Sequence, residues 1–294
     1  MSLIEQGIGF GLIQASIIAI ASVGFTMQFG IANLLNLAFT EVMSLAGFVA
    51  YATLSHSVNL WLSLIVAACV GAVSSLAISK LLYDPFRRRG AKPFTLVIVS
   101  LALNLLLQNG ILAVVGPSFF TYPVTLGQEN IRVLHARFSG DELIIIGIAV
   151  GIMLALHLLL RFTQIGRAMR AMSANRDLAR SSGIPAARVE AVVWAISGAL
   201  AGIAGVVLFL NVSTFNPATA SSFLVVIIAA AVLGGAGEVY GAMLAAVIVG
   251  EAIGITSLWI PSYSTVSAFV LLVIVLMLRP EGVRGILNLS REAA

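Results

Sequence analysis

Nine runs of apolar residues divide the chain, near 8–29, 37–55, 60–82, 94–115, 142–160, 189–210, 221–234, 239–257 and 263–278. About 20 apolar residues, at 1.5 Å rise each, match a bilayer core of roughly 30 Å. Each run predicts a helix. An open strand edge or irregular backbone facing lipid leaves N–H and C=O groups unpaired, and the period-2 alternation of a barrel is weak here. The expected fold is all-α, a polytopic transmembrane helical bundle of eight or nine membrane segments, as a single domain over 1–294. Two runs are interrupted and predict broken or re-entrant helices. "FGIANLLNLAFTEVMSLAG" places Asn33, Asn36 and Glu41 in apolar surroundings, and "VVIIAAAVLGGAGEVYGAM" is short before Gly234. Paired interruptions in the two halves of a transporter mark a cargo route, because freed backbone groups are tolerated where they line a cavity.

Composition removes the soluble alternative. The chain is 60% hydrophobic and only 10% charged, against roughly 45–50% and about 25% for soluble domains. Of its 16 Lys and Arg residues, all but Arg132 and Arg137 fall in three clusters. These are Lys80, Arg87, Arg88, Arg89 and Lys92; the arginines of 161–188; and Arg279, Arg284 and Arg291. The positive-inside rule puts the clusters in the cytoplasm and segment 116–141 outside. Nine crossings then place the N-terminus outside, and eight follow if a short segment is re-entrant. The basic excess thus reports topology in membrane lipid, and no nucleic-acid partner is expected. No basic residue precedes Lys80, so the first run lacks the positive flank of a cleavable signal and is expected to stay in the mature chain. The single cysteine, Cys69, points to neither a disulfide nor a metal site.

Charge is concentrated in "RFTQIGRAMRAMSANRDLARSSGIP", residues 161–185. Its sequence predicts one capped helix over 166–182, ended by Gly183 in a left-handed C′ position and by Pro185. Ala168, Ala171 or Met172, Asn175, and Leu178 or Ala179 recur at helical spacing, so a small-residue stripe faces one way. Arg167, Arg170, Asp177 and Arg180 face elsewhere. Topology or anionic headgroups need charge, but neither needs a capped helix with a small-residue face. The pattern therefore also fits a rigid knob for docking.

The same segment, "GRAMRAMSANRDLARSSGIPAARV", is followed by "SGALAGIAGVVL", "VLGGAGEVYGAM" and "RPEGVRG", and preceded by "LLNLAFTEVMSLAGFVAY", "YDPFRRRGA" and "LVIVSLALNLLLQN". In this order and spacing, over about 10–285, the chain resembles permease subunits of the branched-chain (hydrophobic) amino acid uptake ABC transporter family. The resemblance implies a subunit of an importer in the bacterial plasma (inner) membrane. Its coupling loop, about 161–190, docks on cytoplasmic ATPase subunits through Gly166, Arg167, Ala168, Arg170, Ala179, Gly183 and Ile184. It implies a second related permease, in a heterodimer, and an external solute-binding protein. ATP and Mg belong to the ATPase partners. The sequence independently lacks a G-x-x-x-x-G-K-[ST] phosphate loop, so no cofactor and no ATPase chemistry of its own are expected. The family commonly carries a His-Gly pair where this chain has Phe39 and Thr40. That departure opens urea, short amides or other amino acids as cargo.

Polar residues within the apolar runs are the pathway candidates: Asn33, Asn36, Phe39, Glu41, Gln108 and Glu251. A mid-membrane charge such as Glu251 costs about 2.5–3.5 kcal/mol on translocon scales, so it faces a cavity or partner, pairs, or is protonated. Gln108 equally fits interhelical hydrogen bonding. Gly198 with Gly202, Gly237 with Gly241, Gly250 with Gly254, and Gly147 with Gly151 predict close helix packing. Two alternatives to an amino acid importer remain on these residues, a sugar-type ABC permease and an ion-driven secondary transporter. An intramembrane enzyme is disfavoured, because no GxSG with a partnered His, no HExxH and no paired catalytic aspartates are present.

Overall fold

The computed structural model describes residues 3–56, 58–123, 131–133, 136–212 and 214–278. Its helices are α1 (Leu3–Ala32), α2 (Phe39–Ser55), α3 (Leu60–Ile78), α4 (Asp84–Arg88), α5 (Pro93–Val115), α6 (Gly140–Phe162), α7 (Gln164–Ala174) and α8 (Arg176–Ser181). They continue with α9 (Ala186–Val212), α10 (Thr219–Ser222), α11 (Leu224–Leu233), α12 (Val239–Trp259) and α13 (Ser264–Leu278). Two short antiparallel pairs complete it, β1 (Phe120–Thr121) with β4 (Thr214–Phe215), and β2 (Ile131–Val133) with β3 (Ala136–Phe138).

Six helical stretches among the described residues are long and apolar enough to cross a membrane: Gln6–Ala32, Leu60–Arg88, Pro93–Val115, Gly140–Phe162, Ala186–Val212 and Val239–Trp259. Three shorter apolar ones, Phe39–Ser55, Thr219–Leu233 and Ser264–Met277, correspond to the remaining runs. The fold is the polytopic helical membrane protein that the hydropathy predicts. The run at 60–82 is longer than expected, because α3 passes through a π turn at Ser79–Tyr83 into α4. A proline ring clashes with the carbonyl four residues earlier. Widening the helix just before Pro85 lets the chain continue in helix and carry Arg87 and Arg88 on a rigid element. The cluster at Arg279, Arg284 and Arg291 lies outside the described residues.

Two compact units are present, one from the described residues of 1–26, 125–153 and 225–294, the other from those of 27–124 and 154–224. In the first, Gly250 lies on Ala15 of α1 and Gly254 on Gly7 and Gly11, so the backbones of α1 and α12 touch. Gly241 meets Gly234 at backbone contact. Gly237 instead occupies the turn before α12 at φ +93°, a left-handed conformation that glycine adopts without Cβ strain. Gly147 and Gly151 meet no neighbour within 4 Å, so the expected close approach is absent there.

In the second unit α9 is the buried centre. A Cβ on Gly198 would strike the Gly71 carbonyl, one on Gly202 the Ala67 carbonyl, and one on Gly205 the Met43 carbonyl, which brings α3 and α2 against α9 at backbone contact. Small residues permit this, and in lipid such van der Waals contact substitutes for the missing hydrophobic drive between helices. Phe48, Tyr51, Phe120, Tyr122, Phe209 and Phe215 form an aromatic cluster around the β1–β4 pair, with Phe209 stacked on Phe215 at 4.2 Å between ring centroids. Tyr122 donates its hydroxyl to the Gly47 carbonyl at 2.9 Å, and burial pushes its phenol above the usual tyrosine range.

Candidate functional site

The arginine-rich segment is two helices, not one. Thr163 caps α7 by accepting from the Gly166 N–H at 3.0 Å. At Asn175 the backbone turns extended (φ −157°, ψ 107°), and its Oδ1 accepts from the Leu178 N–H at 3.0 Å to start α8. Asparagine competes for backbone donors in this way, which is why the predicted single helix over 166–182 breaks there. Gly183 then ends α8 at φ +83°, with the Ile184 N–H reaching the Ala179 carbonyl at 3.1 Å, five residues back. That is the left-handed C′ termination the sequence predicts.

The buried residues are Gly166, Met169, Met172 and Ala179; Met172 and Ala179 belong to the expected stripe, whereas Asn175 is exposed and Gly166 and Met169 join the stripe. Ala168 and Ile184 are half-buried, while Leu178 is 65% exposed. A side chain at Gly166 would run into the Leu159 and Leu160 carbonyls, so glycine seats α7 against the end of α6. Arg170 folds back and donates to the Leu160 carbonyl, capping α6 rather than pointing away. Arg167, Arg180 and Arg188 are exposed. The result is a cationic surface with an apolar point at Leu178.

This knob is bolted to the helices by one carboxylate. Glu190, near the start of α9, is 8% exposed. It accepts from Arg176, the first residue of α8, at 2.7 Å, and from Arg87 of α4. Arg87 uses its other nitrogen to grip the carbonyl of Ala32, the last residue of α1, at 2.7 Å. Beside this bracket Tyr83 packs on Trp194 at 5.4 Å between ring centroids, in a core with Ala32, Leu34 and Leu96. Arg87, Arg176 and Glu190 were not among the sequence-predicted site residues. Their partners lie 103 and 14 positions apart, and nothing local in the sequence pairs them.

Immediately beyond Ala32 the chain unwinds. Asn33 sits at φ +48°, exposed, ending α1. Asn36 donates to Gln28 Oε1 at 2.9 Å and accepts the Tyr83 hydroxyl at 2.9 Å, and Gln28 in turn donates to Ser75 at 3.2 Å. Ser100 accepts from the Leu37 N–H at 3.3 Å and Asn104 donates to the Leu37 carbonyl at 3.0 Å. The backbone groups freed by the break are thus held by α5, as buried polar groups require. Glu41, fully buried in the first turn of α2, accepts from Asn104 at 3.3 Å and from Ser221 of α10. Ser44 donates to the Pro217 carbonyl at 3.3 Å. The first interrupted run therefore meets residues 217–221, at the head of the second.

The structure brings Asn36, Phe39 and Glu41 together around this break. Gln108 is half-buried one turn further along α5, and the polar residue that reaches the break is Asn104. Glu251 is in the other unit, on α12, packed where Gly11 of α1 leaves room for its carboxylate. No group of three or more potential metal ligands occurs among the described residues.

The sequence profile of the family described as branched-chain amino acid transport system / permease component matches residues 7–278. The high-affinity branched-chain amino acid transport system permease protein LivH of Escherichia coli K12 is 30% identical, over 94% of this chain and 93% of that protein. The corresponding protein BraD of Pseudomonas aeruginosa is 27% identical over 94% of each. The ribose import permease protein RbsC of Escherichia coli K12 is 28% identical over 90% of this chain and 83% of its own length. No solved structure is a significant match.

Proposed function

The chain belongs to the branched-chain amino acid transport permease family, and from that premise we propose how this subunit couples ATP to import. It is a multi-pass inner-membrane permease subunit of an ABC importer for amino acids. ATP and Mg are bound by partner ATPase subunits, and an external solute-binding protein delivers cargo. A second, related permease completes the conduit as a heterodimer. The chain itself hydrolyses nothing. Its basic segments at 80–92 and 161–188 face the cytoplasm, where the positive-inside rule puts them.

The observation that carries the coupling reading is the Glu190 bracket, because it gives a force applied to α8 a path to the broken end of α1. Arg176 moves with α8, Glu190 with α9, and Arg87 with α4, while Arg87 also holds the Ala32 carbonyl. The ATPase docks on α7–α8 through exposed Arg167 and its neighbours Gly166, Ala168, Ala179, Gly183 and Ile184. Arg170 shapes this surface by capping α6. When the ATPase pair closes, the knob carries the bracket with it and shifts the unwound stretch at 33–38, which Asn36 braces, and the start of α2, where Phe39 and Glu41 line the cargo route. Asn33 shapes the entry to that stretch, and Gln108 borders the route from α5.

Changing Arg167 to Glu or Gly183 to Val tests this reading through two readouts, ATPase copurification and ATP-driven uptake. Both are expected to fall together with membrane insertion normal. Unchanged values for both exclude the docking role of the knob. The similarity to a ribose permease supports a sugar cargo as the second reading, and parallel uptake of L-leucine and D-ribose separates the two.

A further inference from the structure

The polar groups around the unwound stretch fall into two kinds. Asn36 has its amide and its carbonyl oxygen both engaged, by Gln28 and Tyr83. Ser100 and Asn104 bond backbone groups of residues 35 and 37. These side chains are scaffold. Glu41 differs. Asn104 and Ser221 both donate to its Oε1, and Oε2 has no hydrogen-bond partner among the described residues although Glu41 is fully buried. A carboxylate oxygen shut away from water without a donor is among the least favourable groups a protein can bury.

No basic side chain among the described residues supplies that donor. The two ion pairs among the described residues both belong to Glu190, and Arg87, the nearest cation along this polar chain, is spent on Glu190 and Ala32. Glu41 lies in the first turn of α2, just after one break, and Ser221 lies in α10, which ends at Ser222 before the turn at Phe223. Ser221 is half-buried, so Oε1 lies one side chain away from accessible space. The first turn of a helix favours a carboxylate electrostatically, and a site at paired helix breaks is where transporters hold their cargo.

We infer that Glu41, its Oε1 fixed by Asn104 and Ser221, presents Oε2 to the ammonium group of a zwitterionic amino acid passing through the permease. The site is a charge filter: it accepts cargo bearing a primary ammonium and gives no comparable partner to a neutral polyol or amide. This rests on the importer reading above. It adds the group that recognises the cargo's ammonium.

The test uses the complete assembly, with both permeases, ATPases and binding protein, in proteoliposomes. Glu41→Gln keeps an Oε1 acceptor for Asn104 and Ser221 at nearly the same volume, so it preserves the scaffold while turning Oε2 into an amide donor. Glu41→Asp keeps the charge and loses a methylene. ATP-driven uptake of L-leucine is expected to fall about tenfold or more in Glu41→Gln, the scale set by one charge-assisted hydrogen bond. Glu41→Asp is expected to retain more uptake than Glu41→Gln. Uptake in Glu41→Gln within twofold of the parent overturns the proposal, and so does the reverse order of the two variants, which is the mark of a packing role. A parent assembly that imports D-ribose and excludes L-leucine also overturns it. ATP-independent L-leucine uptake by the parent strikes instead at the importer reading, so the two failures are told apart.

Discussion

Replacing Glu190 by Gln removes the charge that joins α8 to α4 while keeping its shape. The Glu190 side chain is 11% exposed and Arg87 20%, whereas Arg176 is 40% exposed. Breaking a buried pair by removing one partner costs about 3–5 kcal/mol, because the other charge is left uncompensated. Arg87 keeps its bond to the Ala32 carbonyl and some solvent, so the low end, about 3 kcal/mol, applies to this arm. The Arg176 arm is screened and contributes under about 1 kcal/mol. Thermal unfolding in detergent is therefore expected to drop by on the order of 5–10 °C for Glu190→Gln, and by much less for Arg176→Gln. The coupling assay is the ratio of cargo imported to ATP hydrolysed in proteoliposomes. Both variants are expected to lower this ratio, since each opens the path from α8 to the end of α1. A Glu190→Gln assembly with parental melting temperature and parental ratio refutes the reasoning. A variant that melts early yet transports with full coupling refutes its mechanical half alone.

Asn175→Ala removes the cap of α8 and is expected to cost about 1 kcal/mol locally, seen as weaker ATPase copurification with unchanged insertion. Gly71→Val places a branched side chain against the Gly198 carbonyl and is expected to destabilise the α3–α9 contact by about 1–3 kcal/mol or more, read as a lower melting temperature. Tyr122→Phe loses the bond to the Gly47 carbonyl, about 1 kcal/mol. Because burial raises the Tyr122 phenol above its unfolded value, its stabilising contribution is intact below about pH 10 and is lost progressively above it. Melting temperatures of parent and Tyr122→Phe should therefore converge as pH climbs past that point.

Hydropathy made the helices and both interruptions legible, because Asn33, Asn36 and Glu41 in an apolar run have no inexpensive place except a break. The close glycines at Gly198, Gly202, Gly250 and Gly254 were equally readable, since small residues at helical spacing serve backbone contact. Other features depend on tertiary context. Asn175 is an ordinary helix residue by spacing and a cap by geometry. The packed stripe of α7 kept Met172 but took in Met169 and Gly166, the glycine lying against the end of α6. Gly237 entered a turn, so Gly241 makes its close approach without it, against Gly234. Asn104 rather than Gln108 faces the break, a choice fixed by the rotation of α5. The Glu190 bracket joins residues far apart in sequence, and no local pattern announces it.

The central claim is that α7–α8 is the surface a partner ATPase holds. Leu178, exposed at the point of the knob, provides the test as Leu178→Cys in a Cys69→Ser chain, which leaves one thiol. In the complete assembly during ATP turnover, that thiol is predicted to cross-link to the ATPase subunit and to be shielded from a bulky maleimide. A thiol that labels freely in an assembly that is importing cargo contradicts the account.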